Sequence, residues 1–109
     1  MKKEVKDKWI KALRSGKYKQ TRGRLHNQNG GGYCCLGVLC EVTGLEYDKD
    51  GLLLDQEIVN FAGMRSDCGK YQEGSTLKGN SFSLSVLNDS RKWSFKKIAD
   101  FIEDVWETL

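Results

Sequence analysis

The stretch Tyr33-Cys34-Cys35-Leu36-Gly37-Val38-Leu39-Cys40 decides how the rest of this chain is read. It follows the turn Asn29-Gly30-Gly31-Gly32 and consists of small or branched apolar residues. Three of the four cysteines lie in it, yet none are spaced C-x-x-C and no histidine joins them. Zinc and thioredoxin-like chemistry therefore have no footing. Free cysteine packs as a small hydrophobe when buried. Leu36, Leu39, Cys40 and Thr43 recur at intervals of three and four, and Gly44 suits a helix stop, so a buried helix is predicted. Residues 18–26 hold too little apolar content for a helix. They lead to Asn29-Gly30, which predicts a β-hairpin whose second strand runs into the cysteine segment.

Working outward, residues 3–15 form an amphipathic helix with Val5, Trp9, Ala12 and Leu13 on one face, ended at Ser15-Gly16. Asp55 is placed as the cap of a short helix over residues 57–62, stopped by Gly63. Residues 65–80, rich in Gly, Ser and charge, read as a loop or hairpin. Residues 82–87 form a short element before Asn88-Asp89-Ser90. Ser94 is a good N-cap for a last helix. Its stripe is Phe95, Ile98, Ile102, Val105 and Leu109, widened by Ala99 and Trp106. Asp100, Glu103, Asp104 and Glu107 mark its solvent side. The expected architecture is α+β: a small single domain over residues 1–109, about four helices packed with a short antiparallel hairpin.

With 109 residues, 39% hydrophobic and 30% charged, the chain is of ordinary globular composition. Residues 1–20 lack the apolar core of a secretory signal, so four cysteines point to free thiols in a reducing cytoplasm. The formal charge of +3 conceals an asymmetry. Residues 1–24 hold ten Lys/Arg against Glu4 and Asp7, whereas the rest of the chain is net acidic. Such a basic third suits an anionic partner, a nucleic acid or a phosphate-bearing small molecule; alternatively it pairs with the acidic tail.

No catalytic constellation emerges. His26 is the single histidine, and nothing in the spacing brings its imidazole to Cys34 or Cys35 as a dyad requires. Gly30-Gly31-Gly32 lacks the lysine-serine ending of a P-loop. Arg22 and Arg24 are expected on one face of a strand, since side chains alternate with period two. Asn88-Asp89-Ser90 reads as a turn, such residues bonding their own backbone. A functional asparagine there, beside Phe82, would read a purine edge while the ring stacks. On this reading Asn88→Ala costs at most a cap, about 1 kcal/mol.

The order of motifs adds a resemblance. Residues 11–20 (KALRSGKYKQ), Arg22-Gly23-Arg24-Leu25, residues 33–40, Leu87-Asn88-Asp89-Ser90 and residues 94–103 (SFKKIADFIE) follow one another. Together they resemble a family of small phage and prophage proteins that includes a Thoeris anti-defence sponge. The resemblance spans nearly the whole chain. It departs at Leu54-Asp55, where relatives often carry Leu-Pro, at Phe61, where they have tryptophan, and over residues 65–80.

The resemblance implies a non-enzymatic inhibitor of bacterial immunity in the cytoplasm of the infected host, with no metal or cofactor. It would sequester a cyclic ADP-ribose isomer made by a TIR-domain enzyme, held intact in a pocket shared by a homo-dimer or larger assembly. Some relatives also capture cyclic oligonucleotides at separate sites. The ligand set it implies is Gln20, Arg22, Met64, Arg65, Phe82, Ser85 and Asn88. Arg22 or Arg65 would bind the pyrophosphate and Phe82 the adenine, with Asn88 and Ser85 or Gln20 on base or ribose hydroxyls. The alternative is a small basic phage protein that binds nucleic acid, or a host nucleic-acid enzyme, through its first 24 residues.

Overall fold

The computed structural model describes residues 1–71 and 83–109. The fold is α+β. The elements are helices α1 (Lys3–Arg14), α2 (Cys35–Thr43), α3 (Gln56–Ala62), α4 (Leu84–Asp89) and α5 (Phe95–Val105), with an antiparallel hairpin of β1 (His26–Asn27) and β2 (Gly32–Tyr33) that packs beside α2. A short 3-10 turn, Trp106–Thr108, follows α5. No helix among the described residues is long and apolar enough to cross a membrane.

The cysteine run is the centre of the core. Cys34, Cys35, Leu36, Val38, Leu39 and Cys40 are all buried, and all four cysteines are free. Cys34 caps α2, its Sγ accepting from the Gly37 amide at 3.4 Å. Gly37 is there for space: a Cβ would stand 1.7 Å from the Leu25 carbonyl oxygen. That same oxygen accepts from the Cys34 amide at 3.2 Å, so strand and helix meet backbone to backbone. Gly44 ends α2 in the left-handed conformation, φ 70°.

Helix α1 packs on α2 and α5. Its buried face is Val5, Lys6, Trp9, Ile10 and Leu13, with Ala12 only half-buried, a shift from the expected stripe. The Trp9 indole donates to the Cys35 carbonyl at 2.8 Å, fastening α1 to the first turn of α2. Lys6 survives burial by reaching Asp7 at 2.6 Å and lying over the Trp106 ring. Arg14 pairs with Asp100 and Glu103, so the basic helix and the acidic face of α5 do meet.

Other boundaries differ in detail. Asp55 occupies the N-cap of α3, but its carboxylate accepts from the Asp48 amide and does not cap the helix. Ser94 caps α5 as expected, accepting from Lys97 at 3.2 Å. The last helix turns 3-10 after Val105, and Leu109 is still buried. The short element predicted at residues 82–87 is a helix shifted to Leu84–Asp89, which takes Asn88 and Asp89 out of the turn.

Candidate functional site

Residues 19–21 run beside β2. The Tyr33 amide donates to the Lys19 carbonyl and Thr21 donates back to the Tyr33 carbonyl, both at 2.7 Å. Gly23 then takes φ 89°, which ends the strand-like alternation. Arg22 and Arg24 therefore do not share a face. Arg22 turns to the end of α4, and Arg24 turns to Asp50 at 3.7 Å.

Asn88 lies at the middle of this arrangement and is fully buried. Its Oδ1 accepts from Gln20 Nε2 at 2.8 Å and from the Cys35 amide at 3.2 Å. Its Nδ2 donates to the Thr21 carbonyl at 3.0 Å and to Asp89 Oδ1 at 2.8 Å. Asp89 Oδ1 also receives the Gly23 amide at 3.1 Å. The Asn88 amide thus has both donors and both acceptor positions filled from within the chain. This corrects the sequence reading: Asn88 is no turn residue offering an open amide to a ligand. It clamps residues 20–23 to α4 and to the start of α2.

The clamp sets up Arg22. Its Nε donates to the Asn88 carbonyl at 3.1 Å and its Nη2 to the Lys92 carbonyl at 3.4 Å. A guanidinium carries five N–H donors, so among the described residues most of its donors stay open on an exposed side chain. Gln20 is held as firmly, donating also to the Trp93 carbonyl at 2.7 Å. The exposed Arg91 and Lys92 follow α4 in sequence, the latter with φ 56°, beside the carbonyl that holds Arg22.

The remaining expected site residues do not gather here. Ser85 is half-buried in the first turn of α4, its Oγ 3.0 Å from Ser83 Oγ. Met64 is buried in the core. Arg65 is exposed, and its amide donates to the Leu109 carbonyl. Arg22 is thus tied to Lys92 before α5 begins, and Arg65 to Leu109 after it ends. The 11 residues of α5 put about 16 Å of helix between those anchor points. Phe82 lies outside the described residues, as does most of the expected loop over residues 65–80.

The thiols and the histidine are engaged separately. Burial pushes the Cys34 thiol up to about 11, and burial likewise raises Cys35 and Cys40. His26 stacks on Tyr33, ring centres 4.1 Å apart, and its Nδ1 meets the Gly32 carbonyl at 2.9 Å. A cleft of about 510 Å³ opens at the other end of α2, lined by Glu41, Glu46, Tyr47 and Lys49 among others. The Tyr47 hydroxyl donates to Glu41 at 2.7 Å. Two carboxylates against one lysine make it a poor receptor for a pyrophosphate, and none of the expected ligand residues lines it. The open, positively charged donors of Arg22 suit an anion better than this cleft does. Among the described residues no group of three or more His, Cys, Asp or Glu side chains is arranged to hold a metal.

Residues 1–50 match a family model described as a domain of unknown function (DUF8296). The match takes in α1, the hairpin, α2, Gln20 and Arg22 but stops before Asn88. No curated protein and no solved structure matches the chain.

Proposed function

We propose that this protein is a sponge that binds and sequesters a cyclic ADP-ribose isomer in the cytoplasm of an infected bacterium, without chemical turnover. The observation that carries the reading is the fixed arginine. Arg22 is held by two backbone carbonyls at the edge of a buried amide network, and its open donors suit a pyrophosphate. Charge-assisted hydrogen bonds of that kind contribute about 1.5–3 kcal/mol each. The motif order described above supports the identity of the ligand.

Arg22 and Arg65 then act from different protomers. They are anchored at opposite ends of α5, so one enclosed ligand reaches both across a dimer cleft more readily than within one chain. Asn88 and Gln20 become positioning residues behind the arginine. A stoichiometric sponge must outcompete the effector, which calls for nanomolar affinity, about −12 kcal/mol.

The test has two arms. Calorimetry with purified cyclic ADP-ribose isomers should give saturable binding, and heating the complex should release the same molecule by mass and chromatography. Linear ADP-ribose accumulating with time would overturn the reading in favour of an enzyme. The alternative, nucleic-acid binding through the basic first 24 residues, is favoured by lysines in and beside α1. Lys2, Lys8, Lys11 and Lys17 form no ion pair among the described residues. Duplex binding would weaken steeply with salt through counterion release, whereas enclosed ligand binding responds much less.

A further inference from the structure

Among the described residues, three large hydrophobic side chains stand markedly exposed: Leu52 at 65%, Leu53 at 46% and Phe61 at 44%. Their surroundings carry opposite charge. Leu52 and Leu53 sit in a segment with Asp48, Asp50, Asp55 and Glu57, against Lys49 and the Arg24 that approaches Asp50. Phe61 lines a cleft of about 230 Å³ with an apolar floor of Val5 and Val42 and a rim of Lys2 and Lys8, opposed among the described residues only by Glu4. A second cleft of about 370 Å³ shares Lys8 and Val42, and extends the lysine rim to Lys11 and Lys17. The molecule thus presents an acid-flanked apolar knob and a lysine-rimmed apolar groove.

We infer that the occupant of this groove is the Leu52–Leu53 knob of a second copy of the chain. Charge complementarity selects it: the groove is net positive, the knob net negative, and each buries what the other exposes. The placement also closes. The knob precedes α3, and Phe61 lies in the last turn of that seven-residue helix, so about 8 Å of helix separates them. Two copies with their α3 helices antiparallel about a two-fold axis make both contacts at once, the self-complementary arrangement of a closed dimer. A nucleic acid would meet the lysines, but it would leave both leucines in water and lay phosphates over an apolar floor. This inference does not depend on what Arg22 binds.

The experiment is sedimentation equilibrium on the full chain without ligand, at low and high salt. Wild type should associate at micromolar concentration and loosen as salt rises. The exposed double substitution Leu52→Asp/Leu53→Asp should stay folded by circular dichroism and weaken association at least tenfold. Leu53→Cys copies mixed with Phe61→Cys copies, both in a Cys68→Ser background, should form the mixed disulfide in preference to either homodimer. A wild type that stays monomeric, or a double variant that associates like wild type, would overturn the interface. So would cross-linking without preference, or association only when a cyclic ADP-ribose isomer is present; the last result would leave the sponge reading standing.

Discussion

Arg22 is gripped by two backbone carbonyls, whereas Lys8, Lys11 and Lys17 stand free of ion pairs among the described residues. Both regions belong to the basic first quarter of the chain, yet they are built differently. The arginine is pre-oriented by a buried asparagine whose partners come from residues 20–21, the start of α2 and the neighbouring Asp89. Lys8 and Lys11 ride on α1 and Lys17 follows it, lying over the Tyr18 ring. Pre-orientation favours one ligand geometry, because little rotamer entropy remains to be lost on binding. Loose lysines give attraction that is broad and salt-sensitive. Net charge per segment cannot tell these two plans apart.

The severest way to break the first region is from beneath. Gly37→Ala sets a methyl 1.7 Å from the Leu25 carbonyl oxygen, and neither backbone can yield without moving β1 or α2. A loss above about 4 kcal/mol is expected, the exceptional range for one substitution. Chemical denaturation should show a chain partly or wholly unfolded in buffer.

Asn88→Ala comes next, at about 3–5 kcal/mol, because it strands the buried Cys35 amide and the half-buried Thr21 carbonyl and empties a fully buried site. Asn88→Asp sharpens the comparison. It keeps the acceptor for Gln20 and Cys35, loses the donor to Thr21, and sets two carboxylates side by side with Asp89. An unfolding free energy for Asn88→Ala within about 1 kcal/mol of wild type would return this residue to the turn first expected of it.

Alkaline pH tests the packing that supports the clamp. The folded-state pKa of Cys34 is raised from 9.0 to about 11. The fold therefore favours the neutral thiol, and its stabilising effect is complete below pH 9. It is lost as pH rises towards 11, when the unfolded chain ionises first. Cys34 alone accounts for roughly 2–3 kcal/mol over that window. The raised Cys35 and Cys40 act in the same direction, so melting temperature should fall continuously above pH 9.

Arg22→Ala should cost the fold only about 1 kcal/mol, the ordinary value of a hydrogen bond, since its bonds lie at the surface. Affinity for a cyclic ADP-ribose isomer should drop more than tenfold by calorimetry, and Arg22→Lys should rescue only part of it. The smallest effect is expected at the lysines. Lys8→Ala and Lys11→Ala should each move stability by less than about 0.5 kcal/mol and leave that affinity unchanged. Equal losses at Arg22 and Lys8 would erase the distinction between the two regions.

Helices α2 and α5 were readable because their signals are local. Apolar spacing, Ser94 at one end and Gly44 at the other need no knowledge of distant segments. The clamp was not, since Asn88 meets Gln20 across 68 positions. The sequence does carry a hint of it. Leu84, Leu87 and Asn88 follow the i, i+3, i+4 spacing of one helical face, and extending the short helix two residues would have buried the asparagine. Gly23 misled in the opposite way: reading Arg22 and Arg24 as a strand ignored the freedom of the glycine between them. The three tryptophans are not equivalent. Trp9 is wholly internal, whereas Trp93 and Trp106 are half-buried against Phe101, Lys97 and Lys6.

The cysteines that organise the core also make this protein its own stopwatch. Cys34, Cys35 and Cys40 are buried and Cys68 is half-buried. A thiol reagent should therefore tag one position promptly and reach the other three only when the chain opens. Mass spectrometry of the labelled chain, sampled over time, would then separate local fraying near Cys68 from release of the α2 core. It would do so with no engineered probe.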